Sequence, residues 1–144
     1  MSAAAERARR VLAVDYGDQR TGLAATDWTG TIAVPLPRLD IDDAHALAAA
    51  IAAIVRERET QVVVLGMPLL HDGSQGQRSV RTQAFATQLA AAIAPVPLLT
   101  VDESHSTDEA HQLLKQGGMK AARRKHLADS VAALVILERY RARA

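Results

Sequence analysis

The first apolar run, Val11-Leu12-Ala13-Val14, halts at the polar turn formers Asp15-Tyr16-Gly17, the pattern of a buried strand leading into a turn. A second strand, about Thr21 to Thr26, follows Asp18-Gln19-Arg20. A third, about Thr31 to Leu36, follows the turn Trp28-Thr29-Gly30, with Gly30, Pro35 and Pro37 marking its limits. Three short strands with turn-length links predict an antiparallel meander. The period then changes. Asp42 or Asp43 caps a helix reaching about Arg58, with apolar positions Leu47, Ile51, Ile54 and Val55 on one side. Val62-Val63-Val64-Leu65-Gly66 is a continuous apolar strand, as expected for one buried on both faces of a parallel sheet. A loop from Met67 to Gly76 precedes a helix from about Arg78 to Ile93, and Val96 to Val101 forms another apolar strand. A helix from about Asp108 to Gln116 stops at Gly117-Gly118. The last helix runs from roughly His126 to Arg141 and buries Val131, Leu134, Val135 and Leu137.

The order βββαβαβαα, with right-handed crossovers, makes strands one, four and five parallel and sets strand two antiparallel beside strand one. The expected fold is α/β, a mixed five-stranded sheet in the order 3-2-1-4-5 flanked by helices. No repeat or linker divides the 144 residues, so residues 11–144 read as a single domain and residues 1–10 as a frayed or disordered tail without the apolar stretch of a secretory signal.

Composition narrows the function. Apolar residues make up 49% of the chain, which argues against disorder. A formal net charge of +1 excludes a wholly electrostatic, histone-like binder and leaves room for a local basic groove. The absence of cysteine excludes disulfides, thiol catalysis and cysteine-ligated zinc, and fits a reducing cytoplasm. No apolar run approaches the roughly 20 residues that span a bilayer, so no membrane role is expected. Aromatic residues, at 3%, count against a protein built around base stacking, and Trp28 reads as packing.

Carboxylates at strand ends are costly unless they pair or bind metal. Asp15 ends the first strand, Asp102 and Glu103 end the fifth, and Asp129 sits in the first turn of the last helix. Strands one and five are parallel with one strand between them, so their C-terminal ends share the rim where open α/β sheets bind ligands. Carboxylates gathered there would repel one another. A divalent cation relieves that repulsion, and hard oxygen ligands select magnesium or manganese. Two such ions about 4 Å apart can activate a water and stabilise the leaving oxygen of a phosphodiester. The plainer alternative for each acid is a turn former or helix cap.

The same residues match a known family. The run 14–24, Val14-Asp15-Tyr16-Gly17-Asp18-Gln19-Arg20-Thr21-Gly22-Leu23-Ala24, resembles the opening motif of the YqgF family, also called pre-16S rRNA nucleases or RuvX-type Holliday junction resolvase homologues. Gly66-Met67-Pro68-Leu69 with Asp72-Gly73-Ser74 and Phe85-Ala86 is similar to its second motif. Val101-Asp102-Glu103 with Ser106-Thr107 and Glu109-Ala110 is similar to its third, and Asp129-Ser130 through Tyr140 to its fourth. The resemblance spans about Val11 to Tyr140. It implies a ribonuclease-H-like nuclease whose metal-binding, catalytic triad is Asp15, Glu103 and Asp129, acting in the cytoplasm on the 5′ end of precursor 16S ribosomal RNA, with ribosomal particles among its partners. The family commonly carries Arg after the Asp-Glu pair. Here Ser104-His105 follows, leaving His105 as a partial substitute and the role of Asp102 open.

Candidate nucleic-acid contacts follow from placement. Arg78 and Arg81, one helical turn apart, adjoin the glycine-bearing loop 66–76, and Arg81 is the favoured contact of the two. Lys120, Arg123, Arg124 and Lys125 precede Asp129, and Arg20 follows Asp15; each has a solvated surface charge as its plain alternative. Branched DNA is the alternative substrate, and a resolvase would need two sites and hence a homodimer. Asp15-Tyr16-Gly17 before a hairpin also resembles the phosphate loop of sugar kinases and actin-like ATPases, which close two such domains around a nucleotide. A non-catalytic RNA-binding factor is the remaining alternative.

Overall fold

The computed structural model describes residues 9–68, 76–102 and 121–143, of which 121–129 by backbone alone. The strands are β1 (Val11–Asp15), β2 (Thr21–Thr26), β3 (Ala33–Leu39), β4 (Val62–Met67) and β5 (Leu98–Asp102). The helices are α1 (Ala44–Glu57), α2 (Gln77–Ile93) and α3 (Ala121–Arg143). The strands form one sheet in the order β3-β2-β1-β4-β5. β1 pairs antiparallel with β2 and parallel with β4, and β4 pairs parallel with β5. This is the order and polarity expected from the chain's apolar pattern. The helix expected over Asp108 to Gln116 lies outside the described residues.

Alternation along the central strands sorts their side chains between two cores. Leu12, Val14, Leu23, Ala25, Val63 and Leu65 face α1 and α2, meeting Leu47, Ile51, Val55, Phe85 and Leu89. Val11, Ala13, Ala24, Val62, Val64 and Val101 face α3, meeting Ala133, Ile136, Leu137 and Tyr140. β4, and β1 as far as Val14, are therefore apolar at every position because each face is covered. Full burial of one such Leu or Val stabilises the fold by about 1.5–3 kcal/mol.

α1 starts where the Asp43 carboxylate accepts a 2.8 Å hydrogen bond from the Ala46 amide. It ends where Glu59 turns to φ 52°, which lets the Thr60 amide reach the Val55 carbonyl at 2.9 Å. α2 begins one residue before its expected start. α3 begins five residues earlier than expected, ahead of its apolar stripe.

β3 differs from expectation in its limits, running from Ala33 to Leu39 straight through Pro35 and Pro37. It is an edge strand with ladder bonds on one side only, the place in a sheet where proline is tolerated. Pro37 also falls in a register irregularity, because Leu23 pairs with Leu36 while Thr21 pairs with Leu39. Within the stretch read as a tail, Arg9 and Arg10 are held: both amides donate to Gln61 Oε1, at 2.8 and 3.0 Å.

A candidate active site at the end of strand one

Asp15 is the last residue of β1, in step with Val11 and Ala13, so it belongs to the face that α3 covers. Its side chain is 11% exposed, and Oδ1 is buried. Across the ladder it pairs with Gly22, which has no side chain to crowd the carboxylate. The next residue, Tyr16, has the opposite parity. Its ring stacks on Phe85 of α2 with centroids 4.3 Å apart and planes 9° apart, tying the turn to the other layer. This pair was not singled out from sequence, although strand parity assigns Tyr16 to that side.

The turn itself requires glycine at position 17, because a Cβ there would collide with the Arg20 carbonyl oxygen. Thr21 fastens it: its hydroxyl donates to the Gly17 carbonyl and accepts from the Gly17 amide, both at 3.4 Å. Residues 15–20 and Arg78 line an open depression of about 370 Å³. Arg20, an expected nucleic-acid contact, stands on its wall.

α2 supplies the cations. The Ser79 hydroxyl donates to the Pro68 carbonyl, which pins the start of α2 beside the end of β4. Arg78, one residue earlier, then places Nη2 3.9 Å from Asp15 Oδ1. Arg81, one turn further on, stands 3.7 Å from Asp18 Oδ2, with both side chains more than half exposed. Sequence reasoning favoured Arg81 for substrate contact; among the described residues, Arg78 stands beside the buried carboxylate and Arg81 beside Asp18.

The remaining expected residues are only partly described. Glu103 and Lys120 lie outside the described residues, as does His105. Arg123, Arg124, Lys125 and Asp129 belong to the first turns of α3 by their backbone, and their side chains lie outside the description. Ser130, next to Asp129, donates a 2.7 Å hydrogen bond to the Leu36 carbonyl. Leu36 pairs with Leu23, and its neighbour Gly22 pairs with Asp15. The Asp129 end of α3 therefore stands over the same end of the β1–β2–β3 meander as Asp15. Asp102 ends β5 opposite Met67, and its carbonyl accepts a 2.9 Å hydrogen bond from Arg139 Nη1. Among the described residues no three acidic, His or Cys side chains gather as a metal site; of the expected triad, only Asp15 has its side chain among them. A buried carboxylate oxygen on a polar, open rim is a hard donor of the kind that suits magnesium or manganese, so the described part of the site fits such an ion.

A mixed sheet in the order 3-2-1-4-5 with helices on both faces, and an acidic residue ending its central strand, defines a ribonuclease-H-like domain. Solved structures bear out the fold. The RuvC protein of Thermus thermophilus, solved with a Holliday junction substrate, superposes with a TM-score of 0.61 at 17% identity, over 94% of this chain and 96% of that one. The fowlpox virus resolvase superposes with a TM-score of 0.55 at 13% identity, over 91% of this chain and 95% of its own. The chain belongs to the family described as RuvX, Holliday junction resolvase, whose model matches residues 9–142. Curated relatives include proteins named "Putative pre-16S rRNA nuclease" from Streptomyces avermitilis, 39% identical over 92% of this chain and 85% of that protein, and from Kineococcus radiotolerans, 41% identical over 88% and 68%.

Proposed function

We propose that the chain is a divalent-metal-dependent nuclease that hydrolyses phosphodiester bonds in RNA, acting on the 5′ end of precursor 16S ribosomal RNA. The observation that carries this reading is the buried Asp15 carboxylate ending the central strand, on the rim beside an open polar depression. Family membership and the relatives named for precursor 16S ribosomal RNA support the substrate.

In this reading Asp15, Glu103 and Asp129 would hold two magnesium or manganese ions, which supply water activation and leaving-oxygen stabilisation when bound. The chain's own groups do the positioning. Asp15 is fixed by its strand and shielded from water, so its carboxylate needs little reorganisation. Arg78 and Arg20 bring positive charge to the depression, where a phosphate would lie. Lys120, Arg123, Arg124 and Lys125 grip the backbone further along, with Arg81 at the margin.

A second reading, cleavage of branched DNA by a homodimer, is favoured by the family description itself. The decisive experiment compares single-stranded precursor RNA with four-way DNA junctions as substrates. Each is assayed with magnesium, with manganese and with chelator, with Asp15→Asn and Asp129→Asn as controls. Mass in solution is measured alongside. Metal-dependent cleavage of RNA by a monomer supports the first reading; junction cleavage by a dimer replaces it with the second.

A further inference from the structure

At the far end of β2 from Asp15, the chain presents its lone tryptophan to solvent. Trp28 is 59% exposed, against the sequence expectation that it packs. The turn that carries it is stiff. Asp27 accepts from the Thr29 hydroxyl at 2.8 Å and from the Thr31 and Ile32 amides at 2.9 and 3.2 Å, and Gly30 closes the turn at φ 75°. A large apolar side chain held in water by a rigid turn is a ready contact surface.

Two guanidinium groups accompany the indole. Arg10 lies over the ring, 5.6 Å from its centroid, while its Nε donates to the Glu59 carbonyl at 2.8 Å. Arg58 lines the same crevice and donates from Nη2 to the Thr26 carbonyl at 3.3 Å. Both cations are held by neutral carbonyls, and among the described residues neither forms an ion pair. No described carboxylate therefore stands within ion-pair distance of either charge. The acid in the crevice, Asp27, is already engaged by the donors of its own turn. The crevice has about 10 Å³ of room, too little to admit a ligand, so a partner would lie across the indole rather than enter. Prolines at 35 and 37 blunt the adjoining edge against added strands.

An exposed aromatic side chain beside two guanidinium groups that form no ion pair among the described residues is the chemistry that receives an unpaired base and its flanking phosphates. We propose that Trp28, Arg10 and Arg58 form an accessory site for single-stranded nucleic acid, remote from the Asp15 rim. This rests on the nuclease reading above and adds to it a second hold on the same strand. Asp15 pairs with Gly22, and β2 ends at Thr26. Four strand residues at about 3.4 Å each separate the two ends, so a substrate engaging both must be several nucleotides long.

The test uses the full chain in chelator, so that nothing is cleaved. Because Trp28 is the lone tryptophan, its fluorescence reports this place alone. A single-stranded RNA 12-mer is expected to quench it saturably. Trp28→Ala is expected to weaken binding of labelled 12-mer roughly tenfold, with Trp28→Phe recovering most of the loss. Arg58→Gln is expected to weaken binding and flatten its salt dependence. With magnesium or manganese in place of chelator, cleavage of bis(p-nitrophenyl) phosphate, too small to reach both places, should stay unchanged in Trp28→Ala. Absence of quenching, affinity within twofold in Trp28→Ala, or equal quenching by an acidic peptide of matching charge would each overturn the accessory site. Cleavage separates the two readings: a native chain that cleaves no RNA in magnesium or manganese ends the nuclease reading whatever the fluorescence does, and Asp15→Asn should lose cleavage while keeping the quenching.

Discussion

Arg78 Nη2 stands 3.9 Å from Asp15 Oδ1, so the first turn of α2 places a positive charge against the buried carboxylate that ends β1. The Arg78 side chain is 59% exposed, and solvent screening limits the pair to less than about 1 kcal/mol. In chelator, Arg78→Gln is expected to lower the melting midpoint by at most about 3 °C. Magnesium, by supplying the carboxylate with a cation, should raise the midpoint further in the variant than in the native chain. Equal rises in the two proteins would show that the guanidinium and the ion do not compete for Asp15.

Asp15→Asn keeps the size of the side chain and removes its charge. If the carboxylate holds metal, several kcal/mol of transition-state stabilisation go with it, and cleavage should fall roughly a thousandfold. Circular dichroism should remain native, since the neutral amide is easier to bury than the carboxylate. Glu103→Gln and Asp129→Asn are expected to behave alike. A variant that retains a tenth of native cleavage excludes its residue from the triad.

The sheet was legible because two signals agreed: continuous apolar runs for β1 and β4, and turn residues that left only short links in the β1–β2–β3 meander. Asp15 stood out for the same reason, as a charge ending a strand that is otherwise apolar. The prolines misled because position within a sheet, not residue type, decides whether proline ends a strand, and an edge location is a tertiary fact. The choice between Arg78 and Arg81 was likewise hidden. Spacing put them one turn apart, but only the Ser79 tether to Pro68 decides which one meets Asp15. Trp28 was read as packing because a tryptophan usually is; its exposure follows from the hydrogen bonds that hold its turn away from the core.

Acid should weaken the β2–β3 turn. The Asp27 carboxyl is held below its ordinary value by the Thr29 hydroxyl, with further hydrogen bonds from the Ile32, Thr31 and Gly30 backbone outweighing desolvation. A carboxyl lowered in the fold contributes stability that is present above its unfolded value of 3.8 and is lost as pH falls through the folded one. Asp27→Asn should therefore be less stable than the native chain at pH 7 and converge with it below that window. Urea midpoints recorded from pH 7 down to pH 2.5 test this, and a gap that stays constant across the series removes Asp27 ionisation as its source.

Two backbone positions with positive φ should respond to opposite substitutions. Glu59 closes α1 at φ 52°, a conformation that costs a side-chain-bearing residue about 1 kcal/mol and glycine almost nothing. Glu59→Gly also frees the unfolded chain, so the net gain should be smaller, about 0.5 kcal/mol. Gly30 sits at φ 75°, and a Cβ there would come within 2.7 Å of both the Arg9 Cβ and the Arg9 carbonyl oxygen. Gly30→Ala therefore adds a collision with β1's approach to the conformational cost, and should destabilise by about 2 kcal/mol. Because Gly30 sits in the Trp28 turn, the same variant should also loosen Trp28 and reduce its fluorescence anisotropy. Urea unfolding of both variants decides the matter: a Glu59→Gly protein that is less stable than the native chain would mean that the Glu59 side chain contributes more than its backbone costs.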